Sequence, residues 1–221
     1  MPPGRKKSLS TEDFVTAAIA YADVHGLPAL TIRVIGNEVG LTQTAIYRYF
    51  HDKDALAGAM KEHLFAEMLA SLGEPTGSPR DRIERIAVHF RRSFAQHPCM
   101  SGLVTALSTP MDNSTQMTRH LVDALEEMGL SGRTLTDAYQ LLESVVIGTS
   151  LIDLYGSPYH LSTRLERFRQ VRHPAFDDIS RDVSSIEETN EQAFLTALRL
   201  VLDHLERTAA ALAPATASTS G

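Results

Sequence analysis

Residues 30–56, LTIRVIGNEVGLTQTAIYRYFHDKDAL, constrain the fold more than any other part of this 221-residue chain. Two short helical patterns meet at Gly40, and a third begins at Asp52-Lys53. Thr31 is suited to cap the first helix, because its hydroxyl can accept an orphan backbone N–H. Ile32, Ile35 and Val39 recur at i, i+3 and i+7, which makes one buried face. Gly40 stands where that helix must stop and reverse, in the left-handed conformation that glycine tolerates. Leu41 then anchors the turn, and Thr42 caps the second helix. At about 100° per residue, Ala45, Ile46, Tyr49 and Phe50 share one arc of that helix, and Gln43, Thr44, Tyr47 and Arg48 share the opposite arc. The first arc is apolar and packs inward. The second carries donors and acceptors of the kind that read base edges or hold phosphates. Alone, such a face also fits an ordinary solvated helix. The glycine turn before it and the capped helix after it favour a helix-turn-helix, in which one helix braces and the next enters the DNA major groove.

The residues upstream agree. Ser10-Thr11-Glu12-Asp13 resembles a capping box. Phe14, Ala18, Tyr21 and Ala22 recur at helical spacing, and His25-Gly26 is a plausible C-terminus. Before this helix, Pro2-Pro3-Gly4-Arg5-Lys6-Lys7-Ser8 forms a basic arm that cannot pack. It is either a solubilising tail or a strand of positive charge for phosphates or a minor groove.

Residues 10–60 resemble the DNA-binding domain of the tetracycline-repressor (TetR) family of bacterial transcription regulators. The resemblance is carried by Thr31, Arg33 and Ile35, by Val39-Gly40-Leu41-Thr42, by Ile46-Tyr47-Arg48-Tyr49-Phe50 and by Asp52-Lys53-Asp54-Ala55-Leu56, without a gap. It covers about a quarter of the chain; the remainder is matched by architecture alone. Gly36 departs from the family's usual alanine, which softens the bracing helix by up to about 1 kcal/mol. Ala45 takes a position held by glycine or another small residue and still allows close approach to DNA. The DNA contacts expected are Arg33, Thr42, Gln43, Thr44, Tyr47, Arg48 and Lys53. Gln43 and Thr44 sit early in the recognition helix and are the best base readers. Tyr47 and Lys53 better suit phosphates, and Arg48 suits either.

The net charge of −6 looks wrong for a DNA-binding chain until it is divided. Residues 1–60 hold six Lys/Arg and six Asp/Glu, whereas residues 61–221 hold fifteen and twenty-one. The acidity therefore belongs to the part that need not face DNA. A single cysteine, Cys99, excludes an internal disulfide and fits a reducing cytoplasm. No apolar run reaches the length of a membrane span, and the basic N-terminus lacks the apolar stretch of a signal peptide.

After residue 56 the pattern is helix after helix: Leu56 to Leu72, Asp81 to Gln96, Met100 to Leu107, Thr115 to Met128, Leu135 to Tyr155 and Ile186 to Leu212. No alternating strand pattern appears, so the fold class expected is all-α: a three-helix DNA-binding domain and a larger helical bundle. The divisions expected are a flexible basic arm (1–8), the helix-turn-helix domain (9–56), a ligand-binding and dimerisation domain (57–212) and a frayed tail (213–221). The helices near 135–155 and 186–212 are the most apolar, and Ser144 and Gly148 permit close helix approach. They are either plain monomer core or, as the resemblance implies, half of a four-helix homodimer interface. A dimer carries two recognition helices, which suits a palindromic operator in double-stranded DNA.

The resemblance also implies a small-molecule effector inside the bundle, acting on a repressor. The candidate lining residues are Phe90, Leu103, Met117, Leu121 and Ile147, with His120 and Glu143 as polar anchors. Each also fits plain core, although a polar residue in an apolar stripe must find a partner. Residues 157–185 are polar and Arg-rich and hold at most a short helix near Thr163–Val171; they fit a pocket edge, a dimer edge or a flexible loop. The alternative is a DNA-binding regulator with no small-molecule ligand, controlled by a protein partner; a packed core would favour it and a large apolar cavity would count against it. Catalysis is not expected. There is no G-x-S-x-G, P-loop or G-x-G-x-x-G, and no His/Cys cluster with metal spacing, so neither a cofactor nor a metal is implied. Cys99 beside His97 could be a reactive thiol, but a buried, inert one is commoner.

Overall fold

A computed structural model of the chain describes residues 10–40, 47–106, 111–153 and 160–213. All regular structure in these residues is helical. In chain order the helices are α1 (Thr11–His25), α2 (Ile32–Glu38), α3 (Lys53–Leu72), α4 (Pro79–Gln96), α5 (Met100–Ala106), α6 (Asp112–Glu127), α7 (Gly132–Asp153), α8 (His160–Val171) and α9 (Val183–Leu212). Short 3-10 turns lie at Leu27–Ala29 and Pro174–Phe176.

Local chemistry sets the ends of these helices. Ser10 and Asp13 form a reciprocal capping box, with Ser10 Oγ accepting from Asp13 N at 3.0 Å and Asp13 Oδ2 accepting from Ser10 N at 2.8 Å. Thr31 caps α2 through Val34 N, and Asp52 caps α3 through Ala55 N at 2.7 Å. Gly40 leaves α2 with φ at +67°, a conformation that costs residues with a Cβ. The start of α4 differs from the expected Asp81: Pro79 occupies the first turn and Ser78 caps it, forming a second box with Asp81. Proline is preorganised for that first turn and gives up no needed donor. Helix α8 is longer than the short piece expected near 163–171, and α9 is the longest helix of the described residues at 30 residues.

The buried residues fall into two clusters. The first joins α1, α2 and Phe50 to α3, α5 and Met117; its centre is Phe14, Leu30, Ile35, Leu56, Met60 and Leu64. The second joins α4, α6, α7 and α9 around Ile83, Leu125, Leu142, Phe194, Leu198 and Leu202. Helix α3 is continuous from the N-terminal head into the bundle, so no break in the chain separates the two at residue 56. Phe90 packs against both clusters. The bundle is also held at its edges by ion pairs from α4. Arg80 meets Asp203 and Glu206 on α9, Arg82 meets Glu127 on α6, and Arg91 meets Glu191 at 2.8 Å while lying over the Phe194 ring.

Candidate functional site

In the head, α1 lays Phe14 against two rings from the segment that follows the turn. Tyr49 stacks on it at 6.1 Å and Phe50 tilts against it at 5.6 Å. Those contacts fix which way residues 47–50 face. Phe50 is 6 % exposed, whereas Tyr47 is 52 % exposed and Arg48 is also exposed. Arg33, on the outer face of α2, is exposed as well, while Ile32 and Ile35 on the same helix are buried. The split into an inward apolar face and an outward polar face is thus present wherever this segment is described. Thr42, Gln43 and Thr44, together with Leu41, Ala45 and Ile46, lie outside the described residues, as do the basic arm and residues 214–221 of the tail.

Lys53 does something its sequence position did not announce. Its ammonium donates to Leu27 O at 2.8 Å and reaches Pro28 O at 3.4 Å, so it ties the start of α3 to the turn after α1. The expected phosphate contact must compete with that task.

The head docks on the bundle through a polar clasp. Asp23 of α1 accepts from Cys99 N at 3.1 Å, and its other oxygen lies 2.8 Å from His97 Nδ1. Gly102 of α5 lets Leu27 approach so closely that an added Cβ would stand 2.9 Å from Leu27 Cδ2. Cys99 is buried here; desolvation first, and Asp23 second, push its thiol far above the ordinary thiol range. It is therefore the inert kind of cysteine, since a thiolate is what reacts.

A cavity of about 420 Å³ opens where the two core clusters meet. Its walls come from α3 (Lys61, Phe65), α4 (Ile83, Phe90), α6 (Met117, Leu121) and α7 (Glu143, Ile147), among others. That volume lies within the roughly 300–1,000 Å³ typical of small-molecule sites. Next to it, Glu62 of α3 caps the start of α6 by accepting from Asn113 N at 2.8 Å and Ser114 N at 3.2 Å. On the far wall the Tyr139 hydroxyl donates to Glu143 at 3.1 Å, and burial pushes its phenol above the ordinary range.

Residues 14–60 match the model of the family described as bacterial regulatory proteins, tetR family. Residues 14–60 thus carry a TetR-type DNA-binding domain. The repressor Rv1353c of Mycobacterium tuberculosis is 23 % identical over 152 residues, which are 66 % of this chain and 58 % of that protein. The repressor DrrR1 of Streptomyces coeruleorubidus is 28 % identical over 156 residues, 69 % of this chain and 56 % of DrrR1. The matched part of this chain thus spans a little over half the length of these curated relatives. Among solved structures, ActR of Streptomyces coelicolor in complex with actinorhodin superposes with a TM-score of 0.71 at 16 % identity, over 92 % of this chain and 99 % of ActR. At that identity the likeness concerns the fold. The family and the matched relatives are transcriptional regulators rather than enzymes.

Against this TetR-type frame, five of the seven expected pocket residues line the cavity: Phe90, Met117, Leu121, Glu143 and Ile147. Leu103 does not; it is wholly buried in the first core cluster, and its neighbour Val104 faces the cavity instead. His120 does not either. It sits about a quarter of a turn off the Met117–Leu121 line of α6 and borders a separate small crevice with Leu72 and Arg85. Lys61, Glu62, Tyr139 and Asp23 were missed. Lys61 had a readable signal, because it stands on the apolar stripe of Ala57, Leu64 and Met68. Among the described residues no group of three His, Cys, Asp or Glu could hold a metal ion, and no helix is long and apolar enough to cross a membrane.

Proposed function

We propose that this TetR-family protein is a homodimeric repressor in the bacterial cytoplasm, released from a palindromic operator by a small molecule held in the cavity between its two cores. The observation that carries the reading is the pairing of an outward polar face in the head with a 420 Å³ apolar-lined cavity behind it. Helix α3 runs between them: Lys53 holds the head, Lys61 and Phe65 line the cavity, and Glu62 caps α6. A change in cavity shape has a direct mechanical route to the head. The cavity also favours an effector over control by a protein partner, which would be better served by a packed core.

In this reading residues 9–56 are the DNA-binding unit, 57–212 bind effector and partner copy, and the arm 1–8 adds charge. Arg33, Thr42, Gln43, Thr44, Tyr47, Arg48 and Lys53 face DNA, with Gln43 and Thr44 reading bases. Dimerisation through α7 and α9 is supported by exposed apolar residues, Leu141 and Ile152 on α7 with Leu200 on α9, and by the half-buried Gly148 between the first two. A Cβ added at Gly148 would meet nothing within 4 Å, so that face is open to another helix. The relatives Rv1353c and DrrR1 are named repressors, and ActR is a structure with actinorhodin bound.

The test is selection of bound sequences from random duplex DNA by the purified protein at near-physiological salt. An enriched palindrome with half-sites about one helical turn apart, or a multiple of it, is the expected result. Tight binding at low salt alone, with no enrichment, leaves just the electrostatic contribution and overturns the reading. Gln43→Ala should change which sequence is preferred. Tyr47→Ala should weaken binding to every sequence.

A further inference from the structure

The charged groups that line the cavity stand on different walls and carry opposite signs. On the α7 wall, Tyr139 donates to Glu143 at 3.1 Å, is itself hydrogen-bonded to Thr118, and Gln140 Nε2 lies 3.5 Å from the other Glu143 oxygen. Tyr139 and Gln140 thus give each Glu143 oxygen a donor from within the protein. On the α6 wall the Ser114 hydroxyl donates to Met111 O at 3.0 Å. The α3 wall carries charge of the opposite sign. Lys61 is 8 % exposed, lines the cavity one turn before Phe65, and is the sole Lys, Arg or His in the lining among the described residues. A cation set in an apolar wall is little screened, so it attracts an anionic group and repels a cationic one more strongly than it would at the surface. The rest of the lining, from Ile83, Phe90, Leu121 and Ile147, offers rings and branched chains to an apolar body.

We propose that the effector is an amphipathic acid: an apolar body bearing one carboxylate or comparable anionic oxygen group, which pairs with Lys61. The proposal rests on the effector-cavity reading above and specifies the chemistry of that site. A single anionic group is specified because the lining offers a single cation among the described residues. Lys61 then also selects the signal it passes on, since its neighbour Glu62 holds the start of α6 and both residues belong to the helix that carries the head.

Two matched sets of probes test it on the full-length protein. One is anthracenecarboxylate, anthracenemethanol and anthracenemethylamine; the other is dodecanoate, dodecanol and dodecylamine. Within a set the apolar body is constant and the charge changes. Affinity is read by calorimetry, and release from the selected operator by fluorescence anisotropy. In at least one set the acid should bind about tenfold tighter than the alcohol, as expected for a hydrogen bond to a charged partner, with the amine weakest. Lys61→Met should erase the advantage of the acid while leaving the alcohol within about threefold, and Lys61→Arg should keep it. Retained operator binding by both variants shows that they fold. Ile147→Trp, which fills the cavity, should weaken acid and alcohol alike. If alcohol or amine binds as well as acid, and Ile147→Trp still blocks them, the anionic class is wrong and the cavity reading stands. If Lys61→Met keeps the full preference for the acid, Lys61 is not its partner and the proposal falls. If no probe of either set binds, or if Ile147→Trp changes nothing, both the proposal and the cavity reading fall.

Discussion

Phe14 and Phe90 are both phenylalanines on amphipathic helices, yet their surroundings are opposite. Phe14 has no exposed surface and lies against Tyr49 and Phe50, in a head whose described helices before α3 are only 15 and 7 residues long. Phe90 touches both core clusters, stacks near Phe65 and Phe94, and still borders an open cavity. Short helices are marginal in isolation, so the head must close every end and fill its core to hold one shape. The four helices of the second cluster, α4, α6, α7 and α9, run to 16–30 residues; they leave a void where the two cores meet. On the function proposed above, the filled core backs the DNA-facing side and the open space is left for the effector.

The contrast can be broken by measurement. Its largest expected consequence is at Phe14. Phe14→Ala should lower unfolding free energy by about 3–5 kcal/mol, read by urea denaturation, because nothing can collapse into a core that two further rings already fill. Ile147→Ala should fall near the bottom of the roughly 2–5 kcal/mol range for such truncations, since the side chain already borders empty space. Equal losses at the two sites would end the distinction between a filled head and an open seam.

Lys53→Met sharpens the comparison within the head. If the ammonium mainly ties α3 to Leu27, the variant should lose about 1–2 kcal/mol of stability and lower affinity for all DNA alike. A loss of DNA affinity with an unchanged urea midpoint would return Lys53 to the phosphates.

The smallest effect concerns acid. The hydroxyl and backbone N–H of Ser78 hold Asp81 below the ordinary carboxylate range, and the backbone N–H and hydroxyl of Ser185 do the same for Asp182. A carboxylate depressed by folding stabilises fully above its unfolded value of about 4 and loses that contribution as pH falls through its folded value. Stability should therefore slope downward below about pH 4, and Asp81→Asn or Asp182→Asn should flatten that slope slightly. Both groups are exposed caps on bundle helices. An acid limb unchanged by both substitutions would mean that these caps contribute nothing to the bundle.

What could be read in advance follows from where each signal lies along the chain. The head was legible because its determinants are local: Ser10 with Asp13, Thr31 with Val34, Gly40 at its turn, Asp52 with Ala55. Each pairs residues three apart or fixes one backbone angle. The start of α4 was missed by two residues because its cap, Ser78-Pro79, lies inside what looked like a loop. The cavity was half legible. Met117, Leu121 and Ile147 sit on apolar faces that look the same whether they meet a void or another side chain. Choosing Leu103 over Val104 and including His120 shows the limit, since a shift of one residue or about a quarter of a turn decides which side of a helix faces the gap. Asp23 and His97, 74 positions apart, could be paired only by the fold.

That last pair gives the lone cysteine a use no sequence motif assigns it. Cys99 is silent because the docked head supplies Asp23 and shuts out water, and its thiol stays protonated in consequence. A head that parted from the bundle would take Asp23 with it and bring the sulfur to solvent. The rate at which an alkylating reagent consumes that single thiol becomes a clock for how often head and bundle part, ticking faster or slower as DNA or effector is added, in a chain with no second cysteine to blur the count.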